Sequence, residues 1–162
     1  MKPILIAGIG NMLLGDDGVG PALVYDYAHR FEPEDDVDIE DLGTPGLELA
    51  SDIAFREAVI LIDAMHSASD PGTIRIFSKD QILARTVGHR IGSHTASLAD
   101  ALESLELAGI APHFVALICI AGQSWELGVP ISSAVRIAMP DAMEAVYASL
   151  RIARQMLSAH GM

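Results

Sequence analysis

Three short apolar runs constrain this chain more than any other feature. Residues 4–7 (ILIA), 58–62 (AVILI) and 114–120 (FVALICI) hold no charged side chain. Each is far shorter than the ~20 residues of a membrane-spanning helix. A continuous run, unlike an alternating one, is the pattern of a strand buried on both faces. Longer segments of helical period separate them. Val19, Leu23, Val24, Tyr27 and Ala28 share one helical face within Val19 to Phe31. Leu98, Ala101, Leu102 and Leu105 share another, in a helix started by Ser93 or Thr95. A closing helix runs from Ser132 to about Leu157, interrupted at Pro140.

Weaker elements fill the intervals. Val37–Glu40 alternates as a strand, Leu47–Phe55 fits a short helix, and Thr73–Phe77 follows a Pro71-Gly72 turn as an edge or antiparallel strand. Strands alternating with helices predict an α/β fold, a three-layer α/β/α domain with a mostly parallel sheet of about five strands. The 162 residues are expected to form a single domain, 1–162.

Composition narrows the function. The net charge of −12 repels phosphate groups and argues against nucleic-acid and anionic-membrane partners. One cysteine, Cys119, excludes an internal disulfide framework and a cysteine-only zinc site; its apolar run places it in the core. Mean hydropathy of +0.36 therefore reflects a core. The N-terminus has a basic residue and an apolar run, but Gly8, Gly10, Asn11, Asp16 and Asp17 break the signal-peptide pattern. A cytoplasmic protein is expected.

The acids are unevenly placed. Seven carboxylates crowd residues 32–41, and Glu32 to Asp38 read as a solvated loop. Others stand where an open parallel sheet keeps its ligand site, beyond the carboxyl ends of the strands. Asp16 and Asp17 follow the first strand, Asp41 ends the second, and Asp63 ends the third, while His94 opens a later helix. Carboxylates gathered with an imidazole suit a divalent ion of nickel or zinc type. A helix N-terminus disfavours the imidazolium, keeping His94 neutral and able to ligate. Each residue also has a plain structural reading. Asp16 or Asp17 can cap the following helix, Asp63 can close an Asx-turn, and His94 can be a solvated first-turn residue. His66 and His89 read as surface residues. Trp125 and Glu126, after the fifth strand, either shape a groove or simply pack. No P-loop, HExxH or GxSxG motif is present, and Leu13 breaks the GxGxxG pattern, so no nucleotide cofactor is expected.

The segment GIGNMLLGDDGVG, residues 8–20, resembles the N-terminal signature of the hydrogenase maturation endopeptidases, which process the large subunit of nickel-iron hydrogenases. DLGTPG at 41–46 is similar to a second element of that family, Ile62-Asp63-Ala64 with DPGT at 70–73 to a third, and Ser93-His94 before Leu98 to a fourth. The resemblance implies removal of a C-terminal extension from a large-subunit precursor after nickel insertion. It implies metal-binding and catalytic roles for Asp17, Asp63 and His94, with nickel supplied by the precursor. Asp41, Gly43, Thr44 and Gly46 would contact the substrate. The family often has glutamate where Asp17 stands and glycine where Leu42 stands. A monomer is expected, and a non-catalytic nickel checkpoint or delivery protein is the alternative.

Overall fold

The computed structural model describes residues 1–84 and 93–159, and for 93–96 the backbone alone. His89 and the side chains of Ser93, His94 and Thr95 lie outside the described residues. The strands are β1 (Ile4–Ile9), β2 (Val37–Gly43), β3 (Ala58–Met65), β4 (Ile74–Ser78) and β5 (Phe114–Ala121). The helices are α1 (Val19–Arg30), α2 (Glu48–Ile53), α3 (Lys79–Leu83), α4 (Ser93–Ala108) and α5 (Ser133–Ala159). The strands form one sheet in the order β2-β1-β3-β5-β4, parallel except for the β4 edge. The α/β architecture expected from the apolar runs is the one found.

Strand alternation divides the core into two layers. Ile4, Ile6, Ile60, Ile62, Ile118 and Ile120 pack on α1 and α5. Leu5, Ala7, Val59, Leu61, Leu117 and Cys119 pack on α2, α3 and α4. Every residue of β3 is buried, as its position between β1 and β5 requires. Helix α1 lies unusually close to the sheet. A Cβ at Gly20 would stand 2.4 Å from the carbonyl oxygens of both Ile9 and Ile62, and one at Gly8 equally close to Gly20. Only glycine permits that approach.

Four expectations require correction. Helix α5 continues through Pro140 for 27 residues. The missing N–H costs one ladder bond on an exposed turn, while buried Val135, Ala138, Ala142 and Val146 hold both sides of it. Strand β3 does not end at Asp63 but runs on to Met65, in register with β5. Neither Asp16 nor Asp17 caps α1, whose N-cap is Gly18 without a side-chain bond. The acidic segment is not simply a solvated loop. Arg154 of α5 donates to both oxygens of Asp36, at 2.8 and 2.7 Å, and to Glu34. Tyr27 donates to Glu34 at 2.6 Å, and buried Arg56 binds Asp38 and Glu40. Cations distant in sequence therefore neutralise this run, leaving Glu32 and Asp35 exposed.

The Arg154 hydrogen bonds hold the Asp36 carboxyl below its ordinary 3.8. The Lys2 backbone N–H, then Arg56, do the same for Asp38. A depressed folded-state pKa gives stability that is complete above the unfolded value and lost as pH falls through the folded one. Urea midpoints are expected to fall as the pH drops below about 4. Arg154→Met should flatten part of that dependence and cost about 1 kcal/mol or less at pH 7, because the pair is half-exposed.

Candidate active site at the carboxyl edge of the sheet

From β1 the chain moves outward to β2 and then returns to β3 on the other side of β1. The crevice beyond the carboxyl ends of β1 and β3 is therefore the switch point at which such sheets bind ligands. A 3₁₀ turn, Gly15–Gly18, follows β1 and packs against β3. Its two aspartates have different tasks.

Asp16 is fully buried. Its Oδ2 accepts from the Gln123 and Ser124 N–H groups at 2.8 and 3.0 Å and from the Ser132 hydroxyl at 2.9 Å. Its Oδ1 accepts from the Ser132 N–H at 2.6 Å. The backbones add Asp16 N–H to Ser124 C=O at 2.8 Å, and Gly128 N–H to Leu13 C=O at 2.8 Å. One carboxylate thus ties the loop after β1 to the loop after β5 and the start of α5. Asp17 is only half-buried. Its Oδ2 accepts the Asn11 N–H at 2.7 Å, which holds it at the end of β1.

Asp63 is 1% exposed, and its Oδ1 accepts the Ala64 N–H at 2.8 Å. It pairs across the sheet with Cys119. Being odd-numbered, it projects toward the α2–α4 layer. Burial, and then the Asp63 charge, push the Cys119 thiol well up, consistent with the core role expected of it. Helix α4 leads through Ile110, whose C=O accepts the Phe55 N–H, to the amino end of β5. Running back along the sheet, it sets its first residues, His94 second among them, at the carboxyl edge on the face Asp63 uses. Topology thus brings Asp17, Asp63 and the head of α4 to one crevice. Among the described residues no group of three His, Cys, Asp or Glu side chains converges as a metal site, and the His94 side chain lies outside them.

Of the expected substrate-contacting residues, Asp41, Thr44 and Gly46 are exposed and Gly43 is half-buried. Asp41 Oδ1 accepts the Gly43 N–H at 2.9 Å, and Gly43 adopts a φ of +60° that turns the chain out of β2. The Gly43 C=O accepts the Gly10 N–H at 2.7 Å, one residue from the Asn11 that holds Asp17. Leu42 packs against the α2–α4 core, so its side chain is occupied by the fold. On the opposite side, Trp125 stacks on exposed His66 with ring centroids 3.6 Å apart. Met12, Leu13 and Leu127, with Leu47 on the β2 side, are exposed and give the loops at this edge an apolar rim. The rim, the stack and the Asp16 clamp are not legible in the sequence, because each joins segments far apart along the chain. Only the loop position of Trp125 hinted at one of them.

Comparison with known proteins is consistent from several directions. A family model described as hydrogenase maturation protease matches residues 21–149. The hydrogenase 2 maturation protease of Escherichia coli is 34% identical over 149 residues, 91% of this chain and 90% of that protein. The hydrogenase expression/formation protein HupD of Rhizobium leguminosarum bv. viciae is 30% identical, covering 91% of this chain and 74% of its own length. Among solved structures, the hydrogenase maturating endopeptidase HybD from E. coli matches with a TM-score of 0.83 at 34% identity, covering 93% of each chain. A hydrogenase 2 maturation peptidase from a Thaumarchaeota archaeon matches at 0.69 and 32%, covering 92% of this chain and 98% of its own.

Asp16→Asn replaces an acceptor by an amide that opposes an N–H or hydroxyl donor. It is expected to lower unfolding free energy by about 2 kcal/mol in urea titration, and Ser132→Ala by about 1 kcal/mol. Because both act on one network, the double variant should cost less than their sum.

Proposed function

The chain belongs to the hydrogenase maturation proteases, and from that we propose that it removes a C-terminal extension from the large-subunit precursor of a nickel-iron hydrogenase. The cut follows nickel insertion, and the metal arrives as part of the substrate. Asp17, Asp63 and His94 recognise it. The observation that carries this reading is the meeting of the Asp17 turn, the Asp63 strand and the head of α4 at the switch-point crevice.

The donor set supports the assignment. Two carboxylates and an imidazole suit a borderline divalent ion and leave room for the ligands the precursor already supplies. Among the described residues Asp17 is held through one oxygen only, so the carboxylate is positioned yet retains lone pairs for a cation. Aspartate in place of the family's common glutamate shortens the reach but keeps the chemistry. Thr44, Pro45 and Gly46 follow the turn at Gly43 without bulky side chains, so a peptide backbone can pass close to the crevice.

Incubation with nickel-loaded precursor, followed by mass measurement, tests the proposal. The extension is expected to be lost, while precursor lacking nickel should stay intact. Asp17→Asn and His94→Ala should bring cleavage to background with folded stability changed by about 1 kcal/mol or less. Asp17→Glu should retain cleavage. Binding of the precursor without mass loss would favour a nickel checkpoint over a protease.

A further inference from the structure

Strand β2 is an edge of the sheet, and its outer side is open over a defined stretch. Ile4 N–H donates to Asp36 C=O, at 3.1 Å, on the β1 side. Backbone groups alternate along a strand, so Asp38 and Glu40 address β1, whereas Val37, Ile39 and Asp41 address the outside. Val37 is already engaged there. Its N–H donates to the Glu34 C=O, and its C=O accepts the Lys2 ammonium at 3.1 Å. Among the described residues nothing bonds the outward N–H and C=O groups of Ile39 and Asp41. They form an alternating set of two donors and two acceptors, which another extended backbone matches.

Charge and position define what fits. Residues 37–55 contain five acids and no Lys or Arg. Arg56 occupies Asp38 and Glu40, but the exposed Asp41 carboxylate has no cation partner among the described residues. Its side chain shares the α1 face with Ile39, while half-buried Leu42 lies on the other face. A strand laid here gains from a basic residue beside Asp41 and an apolar one beside Leu42. Following β2 to its end, such a strand meets Gly43, bonded to Gly10 next to the Asn11 that holds Asp17.

We propose that the outer edge of β2 docks the precursor segment presented to the crevice, as an extended, basic peptide paired backbone to backbone with Ile39 and Asp41. The proposal rests on the protease reading above and adds how the substrate is aligned. Directional hydrogen bonds from a fixed edge set the register of the peptide, and exposed Met12, Leu13 and Leu127, away from β2, are left for the folded body of the precursor.

Ile39→Pro removes only an outward donor, which an edge strand tolerates. With nickel-loaded precursor, KM should rise roughly fivefold, the effect of one lost hydrogen bond, with kcat little changed and thermal unfolding still cooperative. An unchanged KM overturns the proposal. Amide hydrogen exchange on the unaltered protein provides a test independent of cleavage. A synthetic peptide copying the precursor's C-terminal segment should slow exchange at Ile39 and Asp41, and unchanged exchange at both overturns docking even if cleavage is normal. Should Ile39→Pro not fold, N-methylation of successive peptide amides decides. A loss of affinity at every second position supports the edge, and a loss without that period opposes it. Protected amides with an uncleaved precursor would keep the docking strand and remove the protease reading.

Discussion

The arrangement of the carboxyl edge depends on one buried carboxylate. Asp16 accepts four hydrogen bonds from the loop after β5 and the residue preceding α5, and its own N–H adds a fifth link. Removing a carboxylate from water is costly unless its lone pairs are met, and here they are met by donors from another part of the chain. Two loops that would otherwise move separately become one wall of the crevice. The adjacent Asp17 is thereby positioned without being consumed.

The same economy of charge operates on the other flank. Seven acids within ten residues would repel one another if left to solvent, but Arg56 and Arg154 engage four of them. Arg56 approaches from the residue pair before β3 and Arg154 from the last turns of α5, so the run is fastened both to the segment that enters β3 and to α5. Of the run, Glu32, Asp35 and Asp41 are exposed and have no cation partner among the described residues. The Gly43–Gly10 bond joins the turn after Asp41 to the end of β1, next to the Asn11 that holds Asp17.

Glycine provides the third constraint, and it is steric. Gly8 and Gly20 let α1 rest directly on the backbone of β1 and β3, which brings the Gly15–Gly18 turn over the strand carrying Asp63. A methyl group at either position would push helix and sheet apart. The spacing of glycines in GIGNMLLGDDGVG is thus a record of backbone contact.

The layered α/β fold, the buried strands, the core placement of Cys119 and the antiparallel character of residues 73–77 were legible because hydrophobic period and turn residues are local properties. So was the shared position of the Asp17 turn, the Asp63 strand and the first residues of α4 at the carboxyl edge, since strand ends in a parallel sheet share one side. The division of labour between Asp16 and Asp17 was not legible, because identical neighbours differ only in which distant donors reach them. Nor were the pairing of the acidic run, the passage of α5 through Pro140, or the open outer side of β2. Sequence by itself determined which segments are strands and helices and which acids lie at their ends. Tertiary structure alone decided which of those acids the fold consumes and which stay available, because long-range hydrogen bonds and steric contacts exist only once distant segments are packed together.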